Sequence, residues 1–403
     1  MALFTICLLI ELPWYYALIL NKKDLIRLKD YFALHKPVHF IFPIDGDCLN
    51  QFDGAEKNGQ LIIKALVAAA PDADIYINEE KAFFNGKYFE AELALEGRRN
   101  TFFAEDMNCR QNCDRIAVYD FRHSVGKYRI SSDDNILFLQ DITKNQDVYH
   151  SIFENPYLTV YKEAHDKFDA KVHLNLFYET DDMPGFSICR DYFNLSMMTD
   201  KFKAEWEANS DWLHLSFHAH QEHPDMPYKH TTMKRMTEDA NKINAEIRRF
   251  AGEKTLAKVC TVHWGESNIG GVRALRSVGY RGLTGYFEFF DNGDPLVAYY
   301  YPDELVRHVG ARDFWINTEE DVMHGRIDLV LNTVKYEDLM PRLEAIKADV
   351  HRSGFVELMI HEQYFHQDYA SYIPKFRELV VDSAKWAYDY GYRGSLMDDV
   401  ILK

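Results

Sequence analysis

Between Leu61 and Tyr119 the apolar positions fall in short runs that alternate with polar ones. Leu61-Ile62-Ile63 and Ile75-Tyr76-Ile77 are followed by an Asn85-Gly86 pair, and then by Phe89, Ala91, Leu93 and Leu95 at every second position. Alternation around Asn-Gly predicts a hairpin, because both central residues of such a turn take positive φ. With Thr101-Phe102-Phe103 and Ile116 to Tyr119 added, the strands suffice for a small antiparallel β-sandwich of immunoglobulin-like type over residues 39–122.

The rhythm changes after Gly126. Short apolar runs at Tyr128–Ser132, Lys171–Tyr178, Trp212–His218, Lys258–His263, Gly282–Phe287, Asp328–Leu331 and Phe355–His361 alternate with longer amphipathic stretches. The latter, at Thr232–Ala251, Ser267–Val278, Tyr336–Val350 and Tyr369–Tyr390, read as helices. Alternating strands and helices predict a parallel sheet, and about seven such units predict closure into a (β/α) barrel over residues 123–403.

Side chains two apart share a face of a strand. His214, Ser216, His218 and His220 therefore lie opposite Leu213, Leu215 and Phe217, and Glu357, Met359 and His361 lie opposite Val356, Leu358 and Ile360. The polar set is expected to line the barrel interior and its mouth. Catalytic groups in such barrels stand at C-terminal strand ends, and Asp133-Asp134, His218, His263 and His361 each stand at or just past one. Neighbouring carboxylates point apart on a continuing strand but converge where it breaks into a loop. One can then hold a metal while the other deprotonates water.

These residues resemble the polysaccharide deacetylase family, carbohydrate esterases with a nodulation-protein-B-type barrel, over roughly residues 127–403. Ser131-Ser132-Asp133-Asp134 stands where the family has Thr-Phe-Asp-Asp, and the resemblance implies a general base at Asp133 and a metal ligand at Asp134. His218 matches the first histidine of the second motif, but the residue four later is Glu222, followed by His223. Glu222 is the expected third ligand, with His220, His223 and His263 as alternatives, since carboxylate oxygen and imidazole nitrogen both bind a zinc-like ion. The stretch Thr261 to Gly265, followed by Leu275 to Tyr280, has the shape of the third motif with His263 in place of its arginine. His263 could orient Asp133 or complete the metal shell. Leu358-Met359-Ile360-His361 matches the last motif and implies a general acid at His361. Trp264 and Tyr364, near two strand ends, are the expected sugar-flanking rings.

The implied activity is metal-dependent removal of acetyl groups from an N- or O-acetylated carbohydrate, with zinc the expected ion and cobalt or manganese possible. Two rival functions fit the same chain. One is a barrel that binds a glycan or protein without turnover; the other is a glycosidic- or amide-bond hydrolase using Asp133, Glu222 and Glu357.

Composition narrows the partners. With 46 Lys+Arg against 63 Asp+Glu the formal charge is -17, a field that repels phosphate backbones and anionic lipid surfaces. Nucleic acid is not an expected partner. The six cysteines, at 7, 48, 109, 113, 189 and 260, lack a framework spacing and read as isolated buried thiols, with Cys109 and Cys113 an incidental pair. Residues 1–38 form an N-terminal segment whose first twenty positions are largely apolar. Glu11 and Pro13 interrupt it, and the basic pair Lys22-Lys23 follows it. A packed helix or strand is expected there rather than a span or a cleavable signal, and the expected location is cytoplasmic. Oligomeric state leaves no mark on the sequence.

Overall fold

The computed structural model describes residues 36–181, 185–187 and 190–401. The expected N-terminal helix or strand within 1–35 lies outside the described residues, as do Cys7 and Cys189. No helix among the described residues is long and apolar enough to cross a membrane.

Residues 39–120 form two antiparallel sheets. One joins His39–Phe42, Gln60–Ala68, Phe89–Leu95 and Phe83–Phe84 in that order, with Ala55–Lys57 on Gln60–Ala68. The other joins Cys48–Leu49, Cys109–Asp120, Arg99–Asp106, Ile75–Ile77 and Glu80–Lys81, the first pair being parallel. Their inner faces share one core, in which Leu61, Ile63, Val67, Leu93 and Leu95 meet Ile75, Ile77, Phe102, Ala104 and Val118. Asn85 and Gly86 turn the Phe83–Phe84 strand into Phe89–Leu95, with Gly86 at φ 95°. Cys109 and Cys113 are exposed free thiols rather than buried ones. The register of their strand shifts between them, so that they pair with the adjacent residues Asp106 and Glu105.

The second part is a mixed α/β fold whose strands are β1 (Lys127–Asn135), β2 (Val172–Phe177), β3 (Leu213–Ala219), β4 (Val259–Cys260), β5 (Gly282–Gly285), β6 (Phe314–Asn317), β7 (Val322–Arg326), β8 (Leu329–Val330), β9 (Phe355–His361) and β10 (Arg393–Gly394). They form two sheets rather than the closed barrel expected. Strands β3-β2-β1-β9-β8, with β10 also on β1, make one, all parallel, and β4-β5-β7-β6 make the other, with β6 antiparallel to β7. Between them run single backbone bonds in place of ladders. Ala257 N donates to Leu215 O on one side; on the other, Ile327 N donates to Gly285 O and the next residue, Asp328, donates to Glu357 O. Two causes prevent closure. Strands β4 and β8 are two residues long, and the free edge of β7 is taken by the β6 hairpin, which the sequence pattern did not signal.

Helix ends follow local chemistry. The helix Met233–Phe250 starts at Thr232, whose side chain accepts from Arg235 N, and it buries Met236, Ala240, Ile243, Ile247 and Phe250 on one stripe. The stretch expected as Tyr369–Tyr390 is helical only over Phe376–Asp389, because Pro374 disfavours helical geometry at the residue before it. Five α-helices among the described residues escaped the periodicity reading: Leu137–Lys144, Pro156–Phe168, Lys203–Ala208, Asp303–Gly310 and Met397–Ile401. The second is capped by Asn155, which accepts from Tyr157 N and Leu158 N. The first has no cap of its own. The buried Glu362 carboxylate, just past β9, accepts from Ile136 N, Leu137 N and Phe138 N at 2.7, 3.0 and 2.5 Å. A carboxylate at a helix N-terminus meets both the free N–H groups and the positive end of the dipole. Glu362→Ala is expected to cost about 2–3 kcal/mol in chemical denaturation, and to loosen the turn that carries Asp133 and Asp134.

Sandwich and α/β parts share a packed seam. Phe121, Phe314, Phe355, Met397 and Val400 form a joint apolar cluster, while Ile316 N donates to Gly46 O and Arg312 pairs with Asp53 at 3.0 Å. Limited trypsin digestion is therefore expected to spare Arg122, between the two parts, and Lys127, at the start of β1.

Candidate metal centre

Strand β1 ends in a break that decides where its carboxylates point. Its register on β2 shifts between Ser132 and Asn135, and Asp134 takes φ 62°, a left-handed conformation that Asp tolerates better than most residues. The kink turns Asp134 toward β3, while Asp133 remains the lateral neighbour of His361 on β9.

Asp134 Oδ1 lies 3.0 Å from His218 Nε2 and 3.2 Å from His263 Nδ1, and the two nitrogens are 3.0 Å apart. All three residues are buried. Their outer atoms fix what faces inward. His218 Nδ1 is 2.6 Å from Thr261 O, and His263 Nε2 is 3.1 Å from Glu222 O. A carbonyl oxygen only accepts, so those outer nitrogens carry the hydrogens and the inner ones present lone pairs. Phe177 packs on both rings, with centroids at 5.3 and 5.1 Å. Gln363 donates to Asp134 Oδ2 at 2.8 Å, leaving Oδ1 for the cluster.

Three acceptor atoms in mutual contact, without a donor among them, repel unless a cation stands between them. The donor set fits a zinc-like ion. Two imidazoles and a carboxylate are usual zinc ligands, and tetrahedral bonds of about 2.0–2.1 Å separate ligand atoms by about 3.3 Å. Outer hydrogen bonds from the ligand histidines to carbonyls are the usual support of such sites.

A proton can take the cation's place. Burial opposes it, but the charges of Asp133 and Asp134 and the hydrogen bonds around the ring push His218 up to about 9. His263 is lowered, chiefly by burial. Burial also works against the Asp134 anion, yet hydrogen bonds from His218 and His263 hold it well below the usual carboxylate range. Unfolded histidine titrates near about 6.5. In chelator-treated protein the His218 proton therefore contributes stability fully below about pH 6.5, and the contribution is lost as pH rises through about 9. A divalent ion must displace this proton. Binding near pH 7 is expected to release about one proton, read calorimetrically as a dependence of the heat on buffer ionisation enthalpy.

The remaining expected site residues are placed as follows. Asp133, 2% exposed, accepts from Asn175 Nδ2 at 2.6 Å. His361 Nδ1 is 2.9 Å from Asn332 Oδ1. Glu222, the expected third ligand, brings its backbone carbonyl to His263; its carboxylate is not among the three converging groups. That carboxylate is pushed up to about 8 by burial and by the charge of Asp134, and its Oε2 is buried without a partner. His220 is held by Glu179 at 3.0 Å and His223 by Asp181 at 3.3 Å, both outside the cluster. Trp264 is 48% exposed beside His263, ring centroids 5.8 Å apart, and sits at φ 63°. Tyr364 lies 6.2 Å from the His361 ring and packs edge-on to Tyr369. Asn175, Phe177, Asn332 and Gln363 were not singled out from the sequence. Asn175 had a usable signal, since it alternates with Leu174 and Leu176 on β2.

No protein-family model and no curated protein matches the chain. Among solved structures it is similar to a peptidoglycan N-acetylglucosamine deacetylase, at 10% identity over 69% of this chain and 89% of that one, TM-score 0.35. It is also similar to the carbohydrate deacetylase Agd3, at 8% identity over 94% and 75%, TM-score 0.37. A third is 4-alpha-glucanotransferase from Thermococcus litoralis, at 7% identity over 69% and 40%, TM-score 0.45. Likenesses at these scores carry no argument about activity, which rests on the site itself.

Proposed function

We propose that the chain is a metal-dependent hydrolase that removes acetyl groups from an N- or O-acetylated carbohydrate, with Asp134, His218 and His263 holding a divalent ion, zinc foremost. The observation that carries the reading is the convergence of three lone pairs on one point with a second buried carboxylate, Asp133, on the adjoining residue. When bound, such an ion polarises an acyl carbonyl and makes water acidic enough to be deprotonated near neutrality. Asp133, its Oδ1 held by Asn175, takes the proton of the attacking water on Oδ2. His361, steadied at Nδ1 by Asn332, returns a proton through Nε2 to the departing amine or alkoxide. The Trp264 ring, displayed by a left-handed backbone that is costly for a bulky residue, and Tyr364 flank the sugar.

Residues 39–122 we read as an immunoglobulin-like module. With His39–Phe42, Gln60–Ala68, Ile75–Ile77, Phe83–Phe84, Phe89–Leu95, Arg99–Asp106 and Cys109–Asp120 lettered A to G and three short strands set aside, the sheets order as ABED and GFC, which supports the reading.

The activity is tested by screening acetylated mono- and oligosaccharides for acetate release with zinc, cobalt or manganese supplied. Release that a chelator abolishes and added metal restores is expected. No release from any acetylated sugar, in protein that also binds no metal, would leave a glycan- or protein-binding α/β fold without turnover as the better account.

A further inference from the structure

A buried chain of side chains runs from the opposite end of the sheet to Asp133. Arg129 donates through Nε and Nη2 to the two oxygens of Glu357, at 2.7 and 2.8 Å. Its Nη1 reaches His173 Nδ1 at 2.6 Å. His173 Nε2 meets Ser216 Oγ at 2.8 Å, Ser216 Oγ meets Asn175 Oδ1 at 2.6 Å, and Asn175 Nδ2 meets Asp133 Oδ1 at 2.6 Å. Arg129, His173, Ser216, Asn175 and Asp133 are each no more than 2% exposed, so water does not compete for these bonds. They occupy alternate positions on β1, β2 and β3, the face that β9 continues through Glu357.

The direction of every bond is forced from both ends. A guanidinium has no acceptor, so His173 Nδ1 must accept and the hydrogen of the neutral ring sits on Nε2. Burial, reinforced by the Arg129 charge, keeps that ring neutral. Ser216 therefore accepts from His173 and donates onward. At the far end Thr261 N, a backbone donor, also points at Asn175 Oδ1, at 3.2 Å. That independently fixes the amide with its oxygen toward Ser216 and its nitrogen toward Asp133. Aligned hydrogen bonds polarise one another in a low dielectric.

We propose that Arg129 is a positioning residue for Asp133, acting through His173, Ser216 and Asn175 to hold one carboxylate oxygen as an acceptor and leave the other for water. The role as base rests on the deacetylase reading; the chain itself does not.

Two measurements on the full chain separate these. In protein labelled with 15N at histidine, His173 is expected as a neutral ring protonated on Nε2, and its Nε2–H resonance is expected to shift in Asp133→Asn. A proton on Nδ1, or a resonance indifferent to Asp133→Asn, overturns the relay whether or not any substrate is known. On turnover, Ser216→Ala removes the middle link without stranding a charge. It is expected to lower kcat about ten-fold with KM nearly unchanged, to be rescued by Ser216→Thr, and to add nothing in an Asp133→Asn background. Equal losses from Ser216→Ala with and without Asp133 would show a merely structural serine and overturn the proposal. A protein that releases no acetate refutes the deacetylase reading, while the His173 spectra still decide the relay.

Discussion

Asp133→Asn is expected to lower turnover about 100- to 10,000-fold while leaving the metal in place, whereas Asp134→Ala is expected to lose the metal. The asymmetry follows from the geometry. Asp134 Oδ1 is one of the three converging atoms, within 3.2 Å of both imidazole nitrogens, so removing it deletes a third of the donor set. Asp133 engages Oδ1 with Asn175, and the role proposed for it is proton transfer, typically worth about 100- to 10,000-fold. Metal content of the two purified variants, set beside their acetate release, checks both halves. Equal metal loss in both would make Asp133 a ligand rather than the base.

Arg129→Leu is expected to have the largest effect on stability. It strands Glu357, which is 0% exposed and bonded to Arg129 through both oxygens. Breaking a buried pair from one side costs about 3–5 kcal/mol, whereas replacing both partners with apolar residues often costs little. Arg129→Leu combined with Glu357→Leu should therefore recover much of the loss in chemical denaturation. Failure of the double variant to recover any of it would mean that His173, also bonded to Arg129, depends on the guanidinium more than Glu357 does.

Both effects bear on what the sequence displayed. Long strands and long amphipathic helices were legible, since β1, β2, β3 and β9 alternate polar with apolar residues even though both of their faces are buried, and the helix Met233–Phe250 buries one stripe. Closure was not legible, because it depends on edges. The two-residue β4 and β8 carry too little pattern to reveal that they cannot sustain ladders, and the β6–β7 hairpin occupies an edge that a barrel would need. Asp134, His218 and His263 were visible as polar residues at apolar strand ends. Which of Glu222, His220, His223 and His263 completes the group was not. That choice turns on the left-handed backbone at Trp264, which folds the chain just after His263, and on a Glu222 carbonyl aimed at His263 Nε2. Neither is a side-chain property that spacing encodes. Arg129, His173 and Asn175 were within reach, because each alternates with an aliphatic neighbour on its strand.

The most direct test of the account is an anomalous-difference map, at the zinc edge, from crystals of the full chain grown with zinc. The account predicts a single strong peak in contact with Asp134 Oδ1, His218 Nε2 and His263 Nδ1, absent from crystals of Asp134→Ala. A native map with no peak among those three atoms, or with zinc held elsewhere in the chain, would contradict it.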